Sequence, residues 1–136
     1  ILQHDLTKAL PFPDECFDKI VSNNAIYALS ENERAGVFSE FYRVLKKGGT
    51  LLILEFSKVE NQMLEKAYDF YSFNLIPKFG EYFANDEDSY QYLAESIRKH
   101  PDQETLKAMV LDAGFEFCEY HNLTGGIVAL HKAIKI

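Results

Sequence analysis

The stretch from Phe41 to Phe56, FYRVLKKGGTLLILEF, constrains the fold more than any other part of the chain. It passes from a helical pattern through Gly48-Gly49 into seven residues with almost no polar interruption. Phe38, Phe41, Tyr42 and Leu45 fall at i, i+3, i+4 and i+7, one face of a helix. Gly-Gly predicts a helix stop with positive φ. Thr50 to Phe56 then reads as a strand buried on both faces, the kind found inside a parallel sheet.

The flanking segments extend this pattern. Ile1-Leu2-Gln3 reads as the tail of a strand, followed by a loop through Pro11 and Pro13, and Lys19 to Ser22 as a short strand. Ser30 and Glu33 make a capping box ahead of the first helix. A helix is predicted over Met63 to Phe73, with Leu64, Ala67, Tyr68 and Tyr71 on one face and Pro77 ending it. A second begins near Asp86 and ends at Arg98-Lys99, and a third starts with Pro101 at its first position and closes at Gly114. Phe115 to His121 and Ile127 to His131 are strands joined across Asn122 to Gly126, a hairpin signal. Strands alternating with helices imply an α/β fold, and the closing hairpin implies one antiparallel strand. The sheet reads as the second half of a larger one.

Composition narrows the function. The chain has 136 residues, one domain's worth at most, and a formal net charge of −7 with no basic stripe, which argues against nucleic-acid binding. Cys16 and Cys118 have no metal-like spacing and point to a reducing, cytoplasmic compartment. No apolar run approaches the roughly 20 residues of a membrane span. With no Met at its start, the chain reads as a fragment, a processed product or a trimmed form.

In open α/β sheets, ligands sit beyond the carboxyl ends of strands. Asp5 follows a strand-like segment, where a carboxylate suits the exocyclic amine of an adenine; an Asp there is also an ordinary turn residue.

Leu10-Pro11-Phe12-Pro13-Asp14-Glu15-Cys16-Phe17-Asp18, with Tyr42-Arg43-Val44-Leu45-Lys46-Lys47-Gly48-Gly49 downstream, resembles class I S-adenosylmethionine-dependent methyltransferases. Lys47 stands where that pattern has Pro. LEFSK at 54–58, KAYDFYSF at 66–73, SYQYLAESIR at 89–98, HPDQETLK at 100–107 and NLTGGIVALH at 122–131 are similar to the ubiquinone/menaquinone biosynthesis C-methyltransferase family. The resemblance implies a Rossmann-like fold, here the partial domain 1–136 without its glycine-rich cofactor-binding strands, and a helical lid or insert over 57–100. It implies S-adenosyl-L-methionine as cofactor, with Asp5 and Leu6 at the adenine and Asn23 at a strand end where the family usually has Ser. It also implies an apolar quinol substrate, with peripheral contact at a membrane surface as a further expectation.

Ala25-Ile26-Tyr27-Ala28 departs from the family, which usually shows Gly, an apolar residue, Arg and Asn there. Tyr27 supplies no fixed positive charge to a phenolate. Methylation of another small molecule therefore stays open, as does a non-catalytic, partner-binding role. Tyr27, Asp69, Tyr120, His121 and His131 are candidate proton acceptors, and none is singled out as the base. The aromatic run Tyr68, Phe70, Tyr71, Phe73, Phe79, Tyr82, Phe83 reads either as helix-packing core or as the lining of a polyprenyl channel. An unpaired sheet edge predicts self-association of the isolated chain.

Overall fold

A computed structural model describes residues 1–136, apart from the side chains of Phe83, Ala84 and Glu87. Four strands form one sheet in the order β1-β2-β4-β3: β1 Phe17–Asn23, β2 Leu45–Phe56, β3 Phe117–Leu123 and β4 Val128–Ile134. β1 and β2 are parallel, and β4 runs antiparallel to both β2 and β3. Three strands thus point one way and β4 the other, as the α/β reading with a terminal hairpin expects.

Helices α1 (Glu31–Val44) and α5 (Gln103–Asp112) pack on one face of the sheet. Val37, Phe38 and Phe41 of α1 and Leu106 and Val110 of α5 meet Leu51, Ile53 and Ala133 there, forming the core. The alternation of β2 decides which residues take part. Leu51, Ile53 and Glu55 are buried, whereas Leu52, Leu54 and Phe56 on the other face are only half-buried. The expected double burial of β2 is therefore met on one face only, because both packing helices lie on the same side.

Several predicted boundaries move. Ile1 to Gln3 are not a strand: they are exposed and have no ladder partner among the described residues, and extended backbone needs one. Gly48-Gly49 does not stop α1. The helix ends at Val44, and Leu45 is already extended. Gly48, at φ +77°, sits in an irregular stretch of β2, where the register against β1 jumps between Phe17–Leu45 and Lys19–Thr50.

The last carbonyls of α1 are taken from far along the chain: those of Arg43 and Val44 accept from the N–H groups of Glu15 (3.0 Å) and Cys16 (2.9 Å), and a distant side chain caps their neighbours. Lys135, nearly fully buried, donates from Nζ to the carbonyls of Tyr42 (2.9 Å) and Leu45 (2.8 Å) and lies over the Tyr42 ring. A cation at a helix C-terminus satisfies orphan carbonyls and complements the dipole. Lys135→Met is expected to cost about 2 kcal/mol, because two buried carbonyls lose a charged donor. A urea midpoint indistinguishable from the parent's would show that the cap is dispensable.

Residues 62–84 form one helical arm, which Pro77 does not end. α2 (Gln62–Phe70) leads through a π-helical turn, Tyr71–Leu75, into α3 (Ile76–Phe79) and a second π turn, Gly80–Ala84. The N–H of Ile76 bonds to the Tyr71 carbonyl, five residues back. That widened turn makes room for the proline ring, which would clash in a regular α-helix. None of α2 is buried, so its predicted apolar face is exposed apart from the half-buried Tyr68.

α4 (Glu87–Lys99) starts where expected, with Asp86 accepting from the Ser89 N–H. Along its predicted apolar face Ala94 is buried, Leu93 and Ile97 are half-buried, and Tyr90 is exposed. Pro101 lies just before α5 rather than at its first position, because Asp102 takes the cap, its carboxylate accepting from Thr105 N–H at 2.8 Å.

Candidate functional site

β1 and β2 deliver their carboxyl ends to the same edge of the sheet, with Asn23 opposite Leu54. The loop after β1 turns through Asn24 at φ +47°, its N–H bonded to the Leu54 carbonyl. Glu55 then fixes the loop. Its Oε1 accepts from Ala25 N–H (2.7 Å) and Ile26 N–H (2.9 Å), although the carboxylate is only 1% exposed. Burial raises the Glu55 pKa, and the two amides and the nearby Arg34 oppose that rise.

Arg34 of α1, also buried, donates to the Leu29 carbonyl and closes the same loop. His100, at the end of α4, is 1% exposed, and neither ring nitrogen has a partner among the described residues. Burial, with Arg34, Lys58 and His131 nearby, pushes its pKa down to about 4, so the ring is neutral. Neither Glu55, Arg34 nor His100 stands out in the sequence as a site residue. The only hint is a Glu inside an otherwise apolar strand, LLILEF.

The two loop motifs of the sequence meet through one guanidinium. Arg43 donates to the Leu10 carbonyl (3.1 Å), the Phe12 carbonyl (2.9 Å), Asp14 (2.7 Å) and Glu40 (2.8 and 2.9 Å). Glu40 also accepts from Leu10 N–H, and Arg43 holds its carboxyl down at about 2. The Arg of YRVLKKGG therefore clamps the Leu-Pro-Phe-Pro-Asp loop onto α1.

Asp5 lies in this N-terminal loop, exposed. Its Oδ1 accepts from the N–H (2.9 Å) and hydroxyl (2.8 Å) of Thr7, which lower its pKa. Leu6 packs against the core from the loop, and Asn23 is exposed at the tip of β1. Asp5 also adds to the negative field at Glu33, which places the loop near the start of α1.

The candidate proton acceptors scatter. Tyr27 packs edge-on against Phe56 and lines a cavity of about 380 Å³ with Arg34 and Tyr92. Asp69 is ion-paired to Arg98 at 2.7 Å. Tyr120 donates to Glu104 at 2.9 Å, and His131 bonds through Nε2 to the Gln103 carbonyl, anchoring α5 to β4. His121 is exposed on the opposite face from His131. Cys118 is a buried thiol pushed up to about 11, and hence inert.

A second cavity, of about 220 Å³, opens where β2 leaves the sheet, between α2 and α4. Ser57, Lys58, Tyr68, Ser72 and Arg98 are among its lining residues. The backbone at its floor is held tightly. Gln103 donates to the Lys58 carbonyl (2.8 Å) and to Asn122 (2.9 Å). A Cβ at Gly126 would come within 2.5 Å of the same Lys58 carbonyl, so only glycine fits there.

The family model of the ubiE/COQ5 methyltransferase family matches residues 2–135. The chain belongs to this family. It is 58% identical over 128 residues to the ubiquinone/menaquinone biosynthesis C-methyltransferase UbiE of Pseudoalteromonas translucida, and 57% identical to that of Citrobacter koseri. Each match covers 94% of this chain and 50% of the relative, so the chain spans about half the length of these relatives. Among solved structures, a SAM-dependent methyltransferase from Thermotoga maritima superposes with a TM-score of 0.64 at 20% identity, over 99% of this chain and 63% of that one. Human N-acetylserotonin methyltransferase in complex with SAM gives 0.64 at 17% identity, over 98% and 33%. These likenesses establish the methyltransferase fold.

Proposed function

We propose that the full-length protein transfers a methyl group from S-adenosyl-L-methionine to a ring carbon of a polyprenylated benzoquinol or demethylmenaquinol in ubiquinone/menaquinone biosynthesis. The observation that carries this reading is the 58% identity to a UbiE enzyme across nearly the whole chain. The cofactor's sulfonium supplies the methyl group. The quinol gives up a hydroxyl proton to water, and its ring carbon takes the methyl as the sulfur–carbon bond breaks. The ring hydrogen leaves as a proton to water, and the phenolate oxygen of the product takes a proton back, so that one proton is released overall. This chain's share is to position the reactants, a large part of the gain in such a displacement.

Asp5, Leu6 and Asn23 fit an adenosyl group in kind: an exposed carboxylate near the start of α1, an apolar side chain beside it, and an amide at the carboxyl end of β1. In the full-length protein, Asp5→Ala is expected to weaken S-adenosylhomocysteine binding on the order of tenfold, through loss of a charge-assisted hydrogen bond. Asp5→Asn should lose less. Calorimetric titration equal to the parent's would reduce Asp5 to a turn residue holding Thr7.

Residues 57–100 serve as the lid of the substrate site. Among the described residues no helix is long and apolar enough to cross a membrane. Met63 (82% exposed) and Phe70 (61%) on the arm suit peripheral contact with the cytoplasmic membrane surface, where a prenylated substrate resides. β1 is a sheet edge with Val21 exposed, which supports self-association of the isolated chain. Tyr27 in its cavity favours a second reading, methylation of another small molecule. Incubating the full-length protein with the cofactor and short-chain demethylated quinols, with mass spectrometry as readout, separates the two. Methylation of unrelated phenols but of no quinol would overturn the first.

A further inference from the structure

The cavity between α2 and α4 has an unusual lining for a packing defect. Its volume of about 220 Å³ is below the roughly 300–1,000 Å³ of a site for a drug-sized ligand, so it has room for a quinol head group and none for a long tail. Phe73, Ala94 and Ile97 supply apolar walls. Ser72 is 6% exposed, and its hydroxyl has no partner among the described residues, although it lines the cavity. Tyr68 is half-buried, its hydroxyl beside that of Ser72 but short of hydrogen-bonding geometry. A buried hydroxyl left without a partner is costly unless a ligand supplies one.

Lys58 completes the set. It leaves the carboxyl end of β2 with its carbonyl fixed by Gln103, and its ammonium donates to the Arg98 carbonyl at the end of α4. An ammonium has three donors. Among the described residues only this one contact engages it, so it retains donors for the cavity. The charged groups around it are Glu65 and Asp69 of α2, Arg98 of α4 and Asp102 before α5. Asp69 and Arg98 neutralise each other at 2.7 Å, and Arg98 lies over the Phe73 ring. Burial and the Arg98 charge lower the Lys58 pKa, so the ammonium gains from an anionic partner.

We propose that this cavity seats the ring of the substrate, with Lys58 holding one ring oxygen as its oxyanion and the Tyr68 and Ser72 hydroxyls bonding the ring's oxygens. The proposal rests on the quinol reading above and makes Lys58 the source of the positive charge that Tyr27 does not supply. The hydroxyl proton passes to water as the ring binds. The tail leaves the cavity along the exposed side of α2.

The test uses the full-length protein and 4-nitrophenol, whose phenolate absorbs visible light and whose phenol does not. The parent is expected to bind the probe as phenolate at a pH where the free probe is mostly protonated. Lys58→Met should weaken phenolate binding by roughly ten- to a hundredfold, the loss of one charge-assisted contact, and Lys58→Arg should restore part of it. Tyr68→Phe should weaken it severalfold with the melting temperature unchanged. In turnover, the rising limb of the kcat–pH profile, which reports the bound substrate, should move to higher pH in Lys58→Met. Phenolate binding by Lys58→Met equal to the parent's, or an unmoved limb in a variant that still methylates quinols, overturns the proposal and leaves the quinol reading standing. Lys58-dependent phenolate binding without quinol methylation supports the seat and removes the quinol reading.

Discussion

Glu55→Ala is expected to destabilise the protein by about 2–4 kcal/mol, the cost of leaving two amide N–H groups without their acceptor. The carboxylate is 1% exposed and accepts from two consecutive amides, Ala25 and Ile26. Truncation leaves both N–H groups without their acceptor and Arg34 without its nearby anion, and it opens a void beneath Ile26, itself fully buried. Glu55→Gln keeps an oxygen at the same place and should cost about 1 kcal/mol. The loop these amides belong to carries Tyr27 into its cavity, so ligand affinity should fall together with stability. Urea unfolding measures the first and calorimetric titration of the full-length protein the second. A loss under 1 kcal/mol for Glu55→Ala would mean that the loop holds its shape without the carboxylate.

A second large effect is expected on acidification. His100 is neutral in the fold, with a pKa of about 4 against the ordinary 6.5, because charging it in the interior beside Arg34 and Lys58 is unfavourable. The unfolded chain takes up the proton first. Its contribution to stability is therefore intact above pH 6.5 and is lost as the pH falls from 6.5 to 4, amounting to about 3 kcal/mol at the acid end. Acidic groups held low, such as Glu40, also lose stability in acid, but mainly below pH 4.5. The difference between parent and His100→Gln isolates the histidine: the curves should converge as the pH drops through this window. Parallel curves would show that His100 ionises in the fold as it does in the open chain.

The strands over 19–22, 50–56 and the final hairpin, the capping box at Ser30 and the start of α4 were all legible in the chain, because each depends on local periodicity or on a cap within a few residues. Family words along the chain pointed to the methyltransferase fold for the same reason: they are linear. Misplaced boundaries were those decided from far away. Gly48-Gly49 looked like the stop of α1, but the carbonyls at its end are met by the amides of Glu15 and Cys16 and by Lys135, ninety residues on from Leu45. Pro77 looked like a stop, but a π turn shifted the hydrogen-bond ladder ahead of it.

By itself, then, the sequence determined the four strands of the sheet, the helices between them in order, and the family, since helix and strand periods and caps act over short distances. Only the tertiary structure decided the register of β1 on β2, the single covered face of the sheet, and the company kept by its buried polar groups. Glu55, Arg34 and His100 lie on three different elements, and Lys58, Tyr68 and Ser72 face one cavity across a strand end and a helical arm. Burial and electrostatic partners are properties of three-dimensional neighbourhood. A charge is costly or useful according to what surrounds it, and spacing along the chain does not record that.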